Sequence, residues 1–124
     1  MFKKGIRMER IKIDSCSFGI LVINGKKYTE DLIIFPDGEM LTPWWRKRGH
    51  QLIMDDLKDL IKTAPEIIVA GTGMSGGVKP DKNLETELAK LAIKFIRAPN
   101  EEAIRIFNAL VSEKRVGAGF HLTC

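Results

Sequence analysis

The chain has 124 residues, 44% of them hydrophobic and 29% charged, which describes one ordinary globular domain long enough to bury a core. No stretch approaches the roughly 18 consecutive apolar residues of a membrane span, so a transmembrane helix is excluded. The net charge of +4 invites a nucleic-acid reading, but Lys3, Lys4 and Arg7 supply three of those charges and leave a nearly neutral body, which supports such binding poorly.

Residues 1–7 read as a flexible basic N-terminal extension and residues 8–124 as a single α/β domain. The basic start has no apolar stretch behind it, so it is not a signal peptide, and a cytoplasmic address is expected. Cys16 and Cys124 are too few for a disulfide framework. They are expected to stay reduced and to pack as small apolar residues.

In chain order, Ile11-Lys12-Ile13 alternates apolar and polar, and Phe18–Ile23 is a continuous β-rich run. Asn24-Gly25 follows, a type I′ hairpin signal because both residues tolerate positive φ. Lys27-Tyr28 begins the return strand. Leu32–Phe35 is a further strand closed by Pro36-Asp37-Gly38, with a short strand from Met40-Leu41 after it. The first third therefore reads as an antiparallel meander.

The period then changes. Leu57, Leu60, Ile61 and Ala64 fall at helical spacing behind Asp55 or Asp56 as N-cap, and Pro65 stops the helix. Ile67–Ala70 is a buried strand running into a glycine-rich loop. Leu84, Leu88 and Leu91 mark a second helix, capped by Asp81 or Asn83. Phe95-Ile96 is a short strand. Pro99-Asn100-Glu101-Glu102 opens a third helix with acids suited to its dipole, and its core stripe is Ala103, Phe107 and Leu110. Val116–Leu122 is a last strand whose small residues allow close packing. Right-handed crossovers make the three strands of this half parallel, with helices on the sheet.

Two stretches invite chemistry. Gly71-Thr72-Gly73-Met74-Ser75-Gly76 satisfies G-x-G-x-x-G after a strand, at the sheet edge where open α/β folds bind ligands. Dinucleotide binding also needs the loop to open directly into a helix, and Gly77-Val78-Lys79-Pro80 intervenes; the next strand ends in Arg97 where a ribose-binding acid would stand. A Walker Gly-Lys-Ser/Thr is absent as well. What remains is a tight turn, or a loop of N–H groups that binds an anion. Gly73-Met74-Ser75-Gly76-Gly77 also spells G-x-S-x-G, but it lacks the following helix and a convincing acid and histidine downstream, although His121 has the right chain order.

The second stretch is Thr42–His50, with Trp44, Trp45, Arg46, Lys47 and Arg48. Its aromatics and cations suit stacking or phosphate binding, unless one tryptophan covers the core edge and the cations are merely solvated. His50 is the better functional candidate of the two histidines, while His121 in an apolar strand reads as a satisfied core residue. Neither has a second ligand at metal-binding spacing, so no metal is expected.

The ordered set Phe18-Gly19, Gly25 with Tyr28, Asp31, Trp45-Arg46 with Gly49-His50, Pro65-Glu66, Gly71-Thr72-Gly73, Ala103, Asn108, Arg115-Val116 and His121-Leu122-Thr123-Cys124 resembles the small Mth-type domain family of unknown function. Its eukaryotic relatives include an adipogenesis-associated protein and a mitochondrial complex I assembly factor. The resemblance implies a three-layer α/β fold with a central mixed sheet, helices packed on it, and an N-terminal antiparallel β-meander. It implies no agreed catalytic residues and no cofactor, and the best-understood relatives act through protein partners.

Two functions follow as expectations. The first is a non-enzymatic assembly or regulatory module that meets an unidentified protein partner through Trp44, Trp45, Arg46 and Arg48. The second is an anion or small-metabolite pocket between the two loops, with Gly71, Thr72, Gly73 and Ser75 donating hydrogen bonds and Arg46, His50 and Lys79 supplying charge. Nucleic-acid binding by the tail and Arg46-Lys47-Arg48 is the weakest alternative, and a homodimer rests on base rates alone.

Overall fold

The structure, a computed structural model, describes residues 11–123. The expectations for residues 1–7 and Cys124 lie outside the described residues. Among the described residues, ten strands and three short helices are arranged around a five-stranded sheet. Its centre is β7 (Ile67–Gly71) and β10 (Val116–Phe120), both buried along their whole length. Their near-continuous apolar sequence is what a strand covered on both faces requires. β10 and β9 (Lys94–Ala98) pair parallel to β7, as the helix–strand alternation predicts. β4 (Leu32–Ile34) joins the other side of β10 antiparallel and carries β5 (Met40–Leu41) at the edge.

One face of this sheet presents Leu32, Ile34, Val69, Ala118 and Phe120 to α3 (Asn100–Leu110) and to a separate antiparallel sheet of β1 (Ile13–Ser17), β2 (Ile20–Ile23) and β3 (Lys26–Tyr28). From α3 it receives Ala103, Ile104 and Phe107, and from the small sheet Ile13, Leu21 and Ile23. Asn108 ties those two elements together, because its side-chain amide accepts from Ile13 N–H at 3.0 Å and donates to Ile13 C=O at 2.9 Å. The opposite face packs Ile33, Ile68, Ala70 and Phe95 on Leu57, on Leu60 of α1 (Lys58–Ile61) and on Leu84 and Leu88 of α2 (Leu84–Ala89). The result is three layers around a mixed sheet.

Asn24 and Gly25 both take positive φ, 49° and 82°, as the hairpin signal demands. Other boundaries differ from the sequence reading, for local reasons. Phe18 and Gly19 form the β1–β2 turn, with Gly19 at φ 78° and Phe18 exposed, so β2 begins only at Ile20. β4 and β5 leave the meander for the central sheet because Leu32–Ile34 is apolar on both faces. The first helix starts with a 3-10 turn, Met54–Leu57, behind Ile53; Asp56 is not the N-cap but the third residue, and its carboxylate accepts Ile53 N–H at 2.9 Å. α2 ends at Ala89, leaving Leu91 exposed. Asn83 stands at its N-cap without a side-chain cap bond.

β6 (Gln51–Leu52) and β8 (Lys79–Pro80), which periodicity does not reveal, form a two-residue parallel pair. Together with Lys79 N–H to His50 C=O and Asp81 N–H to Leu52 C=O, this pair clamps the tryptophan loop against the segment that follows the glycine loop.

Candidate functional site

The tryptophan loop is held by its own polar groups. Trp44 is only 6% exposed, its indole N–H donates to Asp56 C=O at 3.0 Å, and its ring lies against Gly119. A Cβ at Gly119 would come within 2.8 Å of that ring, so the glycine is what lets the tryptophan reach the sheet. Asp56 also accepts Lys47 N–H at 3.0 Å. Trp44 is thus a core residue and cannot serve as an exposed contact, whereas Trp45 is 80% exposed and Arg48 is exposed beside it.

Arg46 turns inward, and its side chain is only 5% exposed. Nη1 donates to Asp31 Oδ2 at 3.0 Å; Nη2 and Nε donate to Gly49 C=O at 2.9 and 3.3 Å. The guanidinium also stacks 5.0 Å above the Trp44 ring. Asp31 stands immediately before β4, and its Oδ1 accepts Leu122 N–H at 2.9 Å. Oδ2 lies 2.7 Å from His121 Nδ1, just beyond β10. On the far side of the imidazole, Nε2 is 3.1 Å from Thr123 Oγ1. The His50 ring meets that of His121 edge to face, with centroids 6.0 Å apart.

These groups form the floor of an open cleft of about 350 Å³, lined also by Glu30, Pro43, Trp45 and Gly49. Among the described residues, no group of three or more His, Cys, Asp or Glu side chains is placed to hold a metal ion.

The glycine loop is built differently from the expected anion cradle. Thr72 N–H bonds Ala98 C=O, Gly73 N–H bonds Asn100 Oδ1, Met74 N–H bonds Thr123 C=O, Gly76 N–H bonds Gly73 C=O, and Val78 N–H bonds Thr72 C=O. The Thr72 hydroxyl also donates to Ala98 C=O. Those donors are spent inside the protein. Asn100, fully buried at the start of α3, bridges the loop to the cleft by donating from Nδ2 to His121 C=O at 2.7 Å. A Cβ at Gly71 would collide with Asn100 and Phe120, which explains that glycine by close approach.

Thr72, Ser75 and Lys79 line a second cleft with Arg97 and Pro99, whereas Arg46 and His50 line the first. The residues expected to share one pocket are therefore divided between two, and Gly71 and Gly73 line neither of them.

The sequence profile of the DUF498/DUF598 family, proteins of unknown function, matches residues 13–121. The chain belongs to this family. Solved structures agree. A protein known as MT938 is 28% identical with a TM-score of 0.78, the alignment covering 92% of this chain and 99% of that one. The conserved hypothetical protein PH1505 from Pyrococcus horikoshii is 24% identical with a TM-score of 0.76, over 91% of this chain and 99% of its own. A Mth938-like domain protein from Bordetella pertussis shares the fold at 16% identity and a TM-score of 0.60, covering 90% of this chain and 85% of its own. The Mth-type resemblance carried by the ordered residues is thereby confirmed. Among the described residues, no helix is long and apolar enough to cross a membrane.

The cleft of this DUF498/DUF598 domain holds residues that spacing and composition pass over. Asp31 and His121 are 90 positions apart, so no local pattern links them, and Thr123 stands in no catalytic motif. The signal that could have found them is the family-like set itself. Asp31, Trp45-Arg46, Gly49-His50, His121 and Thr123 belong to it, and the fold brings all of them to one cleft.

Proposed function

We propose that this domain is a binding module whose site is the cleft between the Trp45 loop and the end of β10, and that the site takes a small uncharged molecule with a flat apolar body. One observation carries the reading. Arg46, the permanently cationic side chain in the lining, is consumed by Asp31 and Gly49, so the expected anion loses its main counter-charge. An Asp31–Arg46 pair closes on itself and leaves no net charge on the floor. Trp45 and Pro43 supply apolar surface, while Glu30, His50 and Thr123 supply polar atoms. A cleft of about 350 Å³ falls within the usual range for small-molecule sites, with a few placed polar groups to orient the ligand.

Titration of isotope-labelled protein with benzyl alcohol and, separately, benzoate tests the charge claim. Benzyl alcohol should shift the Trp45 indole and the backbone signals of Gly49, His50 and Thr123, with benzoate weaker. Shifts confined to Ser75, Lys79 and Arg97, or stronger with benzoate, would replace this site by the second cleft.

A protein partner at the same rim is the second reading, favoured by the exposure of Trp45 next to Arg48. Replacing both by alanine should then release a co-purifying polypeptide. A cytoplasmic location belongs to the same proposal, supported by the two cysteines and the globular composition.

A further inference from the structure

The hydrogen-bond chain on the cleft floor has a direction. The Asp31 carboxylate only accepts hydrogen bonds. Its Oδ2 is 2.7 Å from His121 Nδ1, the length of a charge-assisted bond, so Nδ1 carries a hydrogen and donates it. Arg46 Nη2, which carries two hydrogens and gives one to Gly49 C=O at 2.9 Å, is also 2.9 Å from Nδ1; the shorter contact to the anionic oxygen sets the assignment. The opposite tautomer would set the Nδ1 lone pair against an anionic oxygen at that separation. This assignment follows from the bonding pattern. A neutral imidazole protonated at Nδ1 has its acceptor at Nε2, and the group 3.1 Å from Nε2 is the Thr123 hydroxyl. The order is hydroxyl, imidazole, carboxylate, with the carboxylate itself fixed by Leu122 N–H and Arg46 Nη1.

That order can activate an alcohol. Resting on the small-molecule reading of the cleft, we propose that Thr123 Oγ is an acyl-accepting nucleophile, with His121 as general base and Asp31 as the positioning residue for the ring. The substrate class is a small uncharged ester. Thr123 Oγ attacks the ester carbonyl carbon while its proton passes to His121 Nε2. The tetrahedral adduct then expels the alcohol, which takes that proton from Nε2 as its C–O bond breaks. Water attacks the acyl-threonine in the second half, giving a proton to Nε2; the acid leaves and Thr123 Oγ recovers the proton. Every atom is accounted for by the ester and one water. Such relays are recognised by geometry and roles rather than by chain position, so the distance of Asp31 from the other two in sequence is no obstacle.

p-Nitrophenyl acetate is the probe, read by mass spectrometry of the digested protein. One acetyl group should appear on the peptide containing Thr123 and not on that of Thr123→Val, and His121→Gln should slow its appearance about 100-fold, the lower end for a positioned base. Thr123→Ser should retain labelling. Asp31→Asn should lose labelling and Asp31→Glu should recover part of it, a rescue by the carboxylate that loss of packing alone does not produce. Acetyl groups on lysines only, or equal labelling of Thr123→Val, would overturn the assignment. A benzyl alcohol titration of the same samples separates the two claims. Cleft shifts in wild type and Thr123→Val, without acetyl-Thr123, reject the nucleophile and keep the pocket; no cleft shifts and no labelling reject both.

Discussion

His121 Nδ1 and Asp31 Oδ2 stand 2.7 Å apart across 90 residues of sequence, and this contact joins the end of β10 to the start of β4. Arg46 closes the same carboxylate from the tryptophan loop at 3.0 Å. Three chain segments that share no local pattern therefore meet on one oxygen atom. The cleft floor is a structural joint as well as a polar surface.

Removing the shared carboxylate should be costly. Asp31→Asn leaves the mostly buried Arg46 guanidinium without its counter-ion, and partial exposure of Asp31 moderates the penalty to about 2–3 kcal/mol. In chemical denaturation, Arg46→Met should cost less in the Asp31→Asn background than in wild type. Additive losses would mean that the pair is not coupled.

Gly119 and Gly117 face different neighbours. A methyl group at Gly119 meets the rigid Trp44 ring, and one at Gly117 meets the end of the flexible Leu60 side chain. Gly119→Ala should therefore cost about 1–3 kcal/mol, and Gly117→Ala should cost less. In a Trp45→Phe background, where Trp44 is the remaining tryptophan, Gly119→Ala should also change the emission spectrum.

Asn100 joins the glycine loop to the cleft. Asn100→Ala strands Gly73 N–H and His121 C=O inside the protein and should destabilise it by about 3 kcal/mol. Hydrogen exchange at the Gly73 amide should accelerate more than exchange in β7. Uniform acceleration throughout the sheet would instead indicate global loosening.

Cys16 offers a pH-dependent readout away from the cleft. Burial, followed by the negative charge of Glu101, raises its thiol above the ordinary value of 9.0. The folded chain therefore keeps a proton that the unfolded chain releases. The associated stability is complete below the unfolded value and disappears as pH rises through the folded one. Alkylation mapped to Cys16 should be slow near neutrality and rise later with pH than that of the unfolded chain. Glu101→Gln should shift that rise slightly downward.

Local chemistry made much of the fold legible. Asn24-Gly25 specifies its hairpin through backbone freedom, and Ile67–Ala70 announces a strand covered on both faces. Helix ends were harder, because Asp56 serves the loop before it as well as the turn it enters. The cleft was legible only in pieces. Arg46 reads as a surface cation until Asp31 and Gly49 are brought to it, and which tryptophan covers the core edge is open until Gly119 makes room beneath Trp44. His121 reads correctly as hydrogen-bonded, yet nothing in an apolar strand signals that its other nitrogen meets Thr123. Such meanings are set by tertiary contact.

Native mass spectrometry of the protein isolated gently from its own source tests the central claim most directly. The account predicts a discrete small mass bound to the folded chain, retained by Ser75→Ala and lost by Trp45→Ala. A chain that carries no small molecule under the gentlest conditions, and instead retains a second polypeptide through Trp45 and Arg48, would contradict it.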